Sequence, residues 1–139
     1  MRLRHTFLLL FCLAMLAPAA SAFAAHSVGT PEQIAWVRRA ATNFVNDELA
    51  GDGEGACGIL NAPLRTTHRG RTCAERLDER LAKITHEPGG RAHLRVQRHE
   101  IASAIVIVHG NTASLGVQTP LLNGSNHFLW TENCWMLEG

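Results

Sequence analysis

The chain has 139 residues with 13 basic and 12 acidic side chains, which gives it a formal net charge of +1. This length suits one domain and is too short for two ordinary ones. Many proteins that bind nucleic acids or anionic membranes are strongly basic, and this nearly neutral chain does not have that composition. We therefore expect no nucleic-acid partner.

The first 25 residues have the pattern of a secretory signal peptide. Arg2 and Arg4 precede an apolar run from Phe7 to Ala17, which Pro18 interrupts before a stretch of mostly small residues. A membrane-spanning helix needs about 20 apolar residues, and this run is shorter. The pattern predicts cleavage and secretion, with an uncleaved anchor as the alternative. It leaves residues 26–30 as a short leader, residues 31–139 as one domain, and no membrane span in the mature chain.

The strongest helix signal begins at Thr30. Thr30 can cap a helix, Pro31 suits its first position, and Gln33 completes a capping box. Apolar residues then recur at intervals of mostly three and four, at Ile34, Val37, Ala41, Phe44, Val45 and Leu49. The pattern predicts a helix over 31–50, which the glycine-rich segment 51–55 ends.

Two further helices and a series of strands are predicted after it. The helices are Ala56–Ala62, which Pro63 should end, and a third that Thr72 caps and that stops at 87–90. The strands are expected at 93–97, 101–108, 113–117, 127–131 and 135–137, with Asn123-Gly124 as a hairpin turn. Helices segregated from an antiparallel sheet predict an α+β domain.

Four short motifs follow one another along the chain. The first predicted helix ends in Ala50-Gly51-Asp52-Gly53, and Ala56-Cys57-x-x-Leu60 follows the glycine break. Cys73-Ala74-Glu75-x-Leu77 opens the third helix, and Trp135-Met136-Leu137 closes the chain. In this order the motifs resemble the nuclear-transport-factor-2-like superfamily, also called SnoaL-like, in its small exported actinobacterial form. The resemblance covers 31–139. It implies a cone-shaped, cystatin-like fold. In such a fold a curved antiparallel sheet wraps round a long helix and forms a cone with an interior pocket.

Removal of the signal peptide leaves three cysteines, which permits one disulfide with a free thiol or an intermolecular bond. The resemblance favours a Cys57–Cys73 disulfide and a free Cys134. Export into an oxidising compartment agrees with such a bond.

The sequence contains no constellation that predicts catalysis. No histidine pair has H-x-x-x-H spacing, the chain has no tyrosine, and most of its carboxylates are expected on solvated helix faces or in turns. We expect no metal, no cofactor and no catalytic residue. The predicted function is binding of a small apolar ligand or a protein partner, with a homodimer through the sheet as a further possibility. The alternative is a small pocket enzyme, such as an isomerase, cyclase or hydrolase, that uses an unrecognised acid or histidine.

The expected pocket wall is apolar. Its residues are Val37, Phe44, Leu77, Leu81, Ile105, Ile107, Leu115 and Trp130. Apolar side chains of this kind suit an apolar ligand, because they offer no group to transfer a proton.

The signal-peptide prediction can be tested directly by mass. The mature chain is expected to begin just after Ala22, Ala24 or Ala25, since the two A-x-A sites lie there. Intact-mass measurement of protein secreted by the native host checks this. Recovery of the full-length chain from membranes alone would contradict it.

Overall fold

A computed structural model describes residues 26–118, 121, 124–131 and 133–138. The predicted signal peptide and the Asn123-Gly124 turn lie wholly or partly outside these residues. The helices are α1 (Pro31–Ala50), α2 (Gly53–Ile59), a short 3-10 helix (Ala62–Arg65), α3 (Cys73–His86) and α4 (Gly90–Ser103). The strands are β1 (Ile105–His109), β2 (Thr112–Gly116), β3 (His127–Thr131) and β4 (Cys134–Leu137).

Helix α1 begins and ends where the sequence predicted. The Thr30 side chain accepts a hydrogen bond from the Gln33 backbone, and the Gln33 side chain accepts one from the Thr30 backbone, which completes the capping box. Gly51 ends the helix in the left-handed conformation with a φ of 72°. A side chain would be strained at that angle, so glycine suits the position.

The second predicted helix is shifted toward the N-terminus. Asp52 caps it by accepting a hydrogen bond from the Gly55 backbone, so α2 begins at Gly53 within the segment predicted to be a flexible turn. It ends at Ile59, and a separate 3-10 turn containing Pro63 follows. Helix α3 begins at Cys73 behind the predicted Thr72 cap, which confirms that part of the prediction.

Helix α4 replaces the first predicted strand. Residues 93–97 alternate in polarity, yet they lie inside a helix that buries Leu94, Gln97 and Ile101. These intervals of three and four residues are helical, and five alternating residues are too few to distinguish the two periods. The strand predicted from Ile101 therefore begins only at Ile105.

The four strands form an antiparallel meander in the order β1-β2-β3-β4. One face of the sheet packs into the core and carries the strand residues Val106, Val108, Ala113, Leu115, Phe128, Trp135 and Leu137. Helix α1 lies across this face and contacts β1, β2 and β4, while α2 and α4 pack against α1. The described part of the chain is thus α+β, with four α-helices packed on a four-stranded antiparallel sheet. The cone shape and the homodimer remain predictions.

Both outer strands of the sheet are partly covered by single residues from elsewhere in the chain. Val28 forms a parallel bridge to β1, with hydrogen bonds of 2.8 Å to Val106 and Val108. Leu60 forms a parallel bridge to Leu137 at the opposite edge. Among the described helices, none is long and apolar enough to cross a membrane.

Helices α1 and α4 are antiparallel, and an arginine from each binds the C-terminal end of the other. The Arg38 guanidinium donates two hydrogen bonds, of 3.1 and 2.6 Å, to the carbonyl oxygen of Ala104, just after α4. Arg91, in the first turn of α4, donates one of 2.9 Å to the carbonyl oxygen of Leu49. Neither helix has a basic residue in its own last turn. Each arginine therefore supplies the cation that the negative end of the opposite helix dipole favours.

Replacing Arg38 tests this interaction. Arg38→Gln is expected to lower the free energy of unfolding by about 1–3 kcal/mol, because the Ala104 carbonyl loses a charged donor. Urea denaturation measures the change. The matched control is Arg39→Gln, which removes the same charge from an exposed neighbour and should cost less than about 0.5 kcal/mol. Equal losses in the two variants would contradict the proposed role of Arg38.

Candidate ligand-binding cleft

Three tryptophans from α1, β3 and β4 form one aromatic cluster. Trp36 stacks on Trp130 with ring centroids 5.3 Å apart and ring planes 21° apart. Trp135 meets Trp130 edge-on at 5.4 Å. Trp135 is buried, whereas 38% of Trp36 is exposed. The cluster therefore continues from the core to the surface, where Trp36 is open to contact.

Two adjoining hollows lie against this cluster and share Trp36 and Trp135 as walls. The first hollow, of about 260 Å³, is also lined by Arg39, Ala40, Asn43, Gly58, Ile59, Cys134 and Met136. The second, of about 280 Å³, is also lined by Glu32, Gln33, Gly110, Asn111 and Trp130. We call the two hollows together the tryptophan cleft. Its walls are mainly apolar, with polar side chains at several positions.

The helical repeat of α1 explains why these side chains meet. Glu32, Trp36, Arg39 and Asn43 follow one another at intervals of three and four residues, so they form a stripe along the helix. This stripe flanks the buried stripe that contains Val37, and it faces the β3–β4 hairpin. In the sequence, the indication of this cleft was Trp36, a tryptophan that lies beside the apolar stripe and within a row of polar residues.

Five of the eight residues expected to line a pocket lie in the interior. They are buried to 94% or more: Val37, Phe44, Leu77, Leu81 and Leu115. Leu77 also borders a separate hollow of about 240 Å³ between α3 and the 3-10 helix. Of the expected set, only Trp130 lines the tryptophan cleft. The structure thus divides these residues among different environments.

The expected inward orientation of Ile105 and Ile107 is wrong by one residue. On β1, Val106 and Val108 face the core, while Ile107 is 37% exposed on the opposite face. Side chains alternate between the two faces of a strand, so a one-residue difference in register exchanges the faces. A continuous β-branched run gives no internal indication of which residues face inward.

The predicted cysteine pair is present. Cys57 in α2 and Cys73 at the start of α3 lie at disulfide distance, with their Cα atoms 5.9 Å apart. Cys134 is free and half-buried, and it lines the first hollow. The disulfide ties α2, which contacts β4 and lines the first hollow, to α3 and thereby helps to fix one side of the cleft.

Glu48 is an exception to the expectation that most carboxylates are solvated. It is fully buried near the end of α1, and neither carboxylate oxygen has a hydrogen-bond partner among the described residues. Burial raises its pKa to about 8, although the charge of Arg80 opposes this shift. A buried acid with a raised pKa is a candidate catalytic group when it lies in a cleft. Glu48 does not line the tryptophan cleft, so it is not placed to act on a ligand there.

His93 and His99 both lie on α4, where six residues span about 9 Å along the axis. Within the part of the chain that the structure describes, no three histidine, cysteine or acidic residues are grouped so that they could hold a metal ion.

Comparison with protein families, curated proteins and solved structures found nothing significantly similar to this chain. Membership of the nuclear-transport-factor-2-like superfamily therefore remains a prediction from the sequence motifs.

The buried Glu48 makes stability depend on pH. Its pKa is about 8 in the folded protein and near 4.5 when unfolded, so the folded state holds an extra proton between these values. The stabilising effect is complete below pH 4.5 and is lost as the pH rises through 8. The slope should approach a loss of about 1.4 kcal/mol per pH unit.

Glu48→Gln is expected to flatten this slope and to raise the free energy of unfolding near pH 8, because the amide stays neutral. Urea denaturation between pH 5 and 8 measures both effects. Glu54→Gln, at an exposed position of α2, is the matched control and should keep the wild-type slope. A wild-type slope that persists in Glu48→Gln would assign the pH dependence to other groups.

Proposed function

We propose that this domain is a binding module whose tryptophan cleft takes a small ligand with a flat apolar face. The observation that carries the proposal is Trp36, which stacks on Trp130, stays 38% exposed, and separates two hollows. An aromatic surface left open beside a hollow is the part of this molecule best suited to contact a ring or a flat hydrocarbon.

The energetics favour a ligand that covers the exposed indole. Each Å² of apolar surface removed from water contributes about 25 cal/mol, and an aromatic pair adds about 0.5–1.5 kcal/mol. Each hollow is slightly smaller than the about 300–1,000 Å³ of ordinary ligand sites. The ligand is therefore small, or it lies across both hollows and contacts Trp36 between them.

Polar side chains give the two hollows different character. Arg39 and Asn43 line the first hollow, and Glu32 and Asn111 line the second. Arg39 and Glu32 are exposed, so their charges remain solvated and available at the rim. These groups would orient a ligand whose body is apolar and whose ends are polar, a refinement of the purely apolar wall expected from the sequence.

Export and the family resemblance belong to the same proposal. The Cys57–Cys73 bond supports export, because disulfides persist in oxidising compartments. The order of helices followed by an antiparallel meander supports a nuclear-transport-factor-2-like domain. Many different functions occur on such folds, so the cleft rather than the fold determines the proposed activity.

The sequence leaves two other functions open. A protein partner could cover the same exposed tryptophan, and the binding experiment below distinguishes it from a small ligand. The pocket-enzyme alternative calls for an ionisable group with an altered pKa in the cleft. Glu48 has such a pKa but lies elsewhere, so no specific observation favours that alternative.

Tryptophan fluorescence tests the proposed binding. A panel of small aromatic, steroid-like and fatty probes is expected to include members that change tryptophan emission in a saturable way. Trp36→Ala should weaken binding of such a probe at least about tenfold, because the stacking surface is lost. Titration of the probe's own fluorescence allows wild type and variant to be compared.

The matched control is Val96→Ala, which shortens a side chain that is 58% exposed on α4, away from the cleft. This variant should bind the probe with unchanged affinity. Equal affinity for wild type and Trp36→Ala would place the site elsewhere. Failure of every probe in the panel would remove the small-ligand proposal and leave only a protein partner for this surface.

A further inference from the structure

A second cleft lies between α1 and α4 and is strongly cationic. Its volume is about 600 Å³, and the charged or titratable side chains that line it are Arg91, Arg95, Arg98 and His99 from α4. Thr42 and Leu49 of α1 and Ala102 of α4 complete the described walls. None of these lining residues is acidic. We call it the arginine cleft.

The helical geometry of α4 produces this concentration of charge. Arg91, Arg95 and Arg98 are spaced by four and three residues, so their side chains leave one face of the helix. From the first to the last they span about 10 Å along the axis. All three are exposed. A chain with almost no net charge thus presents three arginines in one row.

Neutral acceptors hold two of these arginines in place. Arg91 donates to the carbonyl oxygen of Leu49 at 2.9 Å, and Arg98 donates to the side-chain oxygen of Asn46 at 3.2 Å. Neither bond neutralises the guanidinium charge, whereas an ion pair with a carboxylate would. These two guanidinium groups are therefore held in position while their positive charge stays available to an anion.

Arg95 lies between the two anchored arginines. Within the described part of the chain, it forms no hydrogen bond and no ion pair. Its five N–H donors are therefore available to a ligand, in the planar arrangement that suits the oxygens of a phosphate or sulfate group.

We propose that the arginine cleft binds a small polyanion that carries two or more linked phosphate-type groups. One group binds Arg95, and a second reaches Arg91 or Arg98. The volume matches a small-molecule site, and a row of cations about 10 Å long favours a linear anion over a single ion. The site is on the other side of the buried stripe of α1 from the tryptophan cleft, and the proposal does not depend on ligand binding there.

The test uses inorganic tripolyphosphate as the probe and isothermal titration calorimetry as the measurement. At low ionic strength, tripolyphosphate is expected to bind with one site per chain and at least about tenfold more tightly than orthophosphate, because it contacts several arginines. Raising the salt concentration from about 20 to about 200 mM should weaken binding several-fold, since the cleft is exposed.

Arg95→Gln is the decisive variant, because the Arg95 side chain forms no hydrogen bond or ion pair on which the described fold depends. It should weaken tripolyphosphate binding about tenfold, the loss expected for one charge-assisted contact. Arg69→Gln removes the same charge from an exposed loop outside the cleft and should change the affinity less than about twofold. Amide chemical shifts should move at Thr42 and Ala102 on titration.

Equal weakening in Arg95→Gln and Arg69→Gln would overturn the proposal, because it would show attraction to overall charge. So would equal affinity for orthophosphate and tripolyphosphate, or absence of binding at low salt. Binding of a single-stranded oligonucleotide at least as tight as that of tripolyphosphate would also overturn it, because the site would then be a nucleic-acid surface.

Discussion

The burial of helix α1 is the constraint on which the rest of this domain depends. The helix packs against three strands on one side and against α2 and α4 on others, so its apolar stripe must meet several neighbours at once. Val37, Ala41, Phe44 and Val45 are fully buried in that stripe. Because the buried stripe covers only part of the circumference of the helix, residues on both of its flanks remain near the surface. One flank borders the tryptophan cleft and the other borders the arginine cleft.

Charge placement follows from the antiparallel packing of α1 and α4. Each helix ends in carbonyl groups that favour a cation, and each receives that cation from its neighbour through Arg38 or Arg91. Arg91 lies in the first turn of α4, where a positive charge is unfavourable for its own helix dipole. Its contact with α1 offsets that cost.

Much of the helical part could be predicted because its signals are local. Thr30, Pro31 and Gln33 define the start of α1 through contacts within one turn, and Thr72 does the same for α3. Helix α4 was missed because its first residues alternate in polarity by coincidence and because one of its buried residues is Gln97. Its start also lacks a side-chain cap, since Gly89 occupies that position.

The two clefts were harder to predict than the core, because each depends on elements distant in sequence. The arginine row cannot be recognised while residues 93–97 are read as a strand, since alternate side chains would then face opposite sides. To predict the tryptophan cleft, one must know that Trp130 and Trp135 pair across β3 and β4 and that this pair meets Trp36. Glu48 was missed for a related reason, because helical position alone does not reveal how completely a neighbouring element covers a side chain.

The bridge between Val28 and β1 limits how far the N-terminus can be shortened. Val28 exchanges two backbone hydrogen bonds with β1, and the Ser27 hydroxyl accepts a third from the Val106 backbone. A chain processed after residue 25 keeps these contacts. A chain trimmed beyond residue 28 would expose the unpaired backbone groups of β1, which could then pair with the same strand of another copy. A protease that removes only a few additional residues would thus convert a protected sheet edge into a site of self-association.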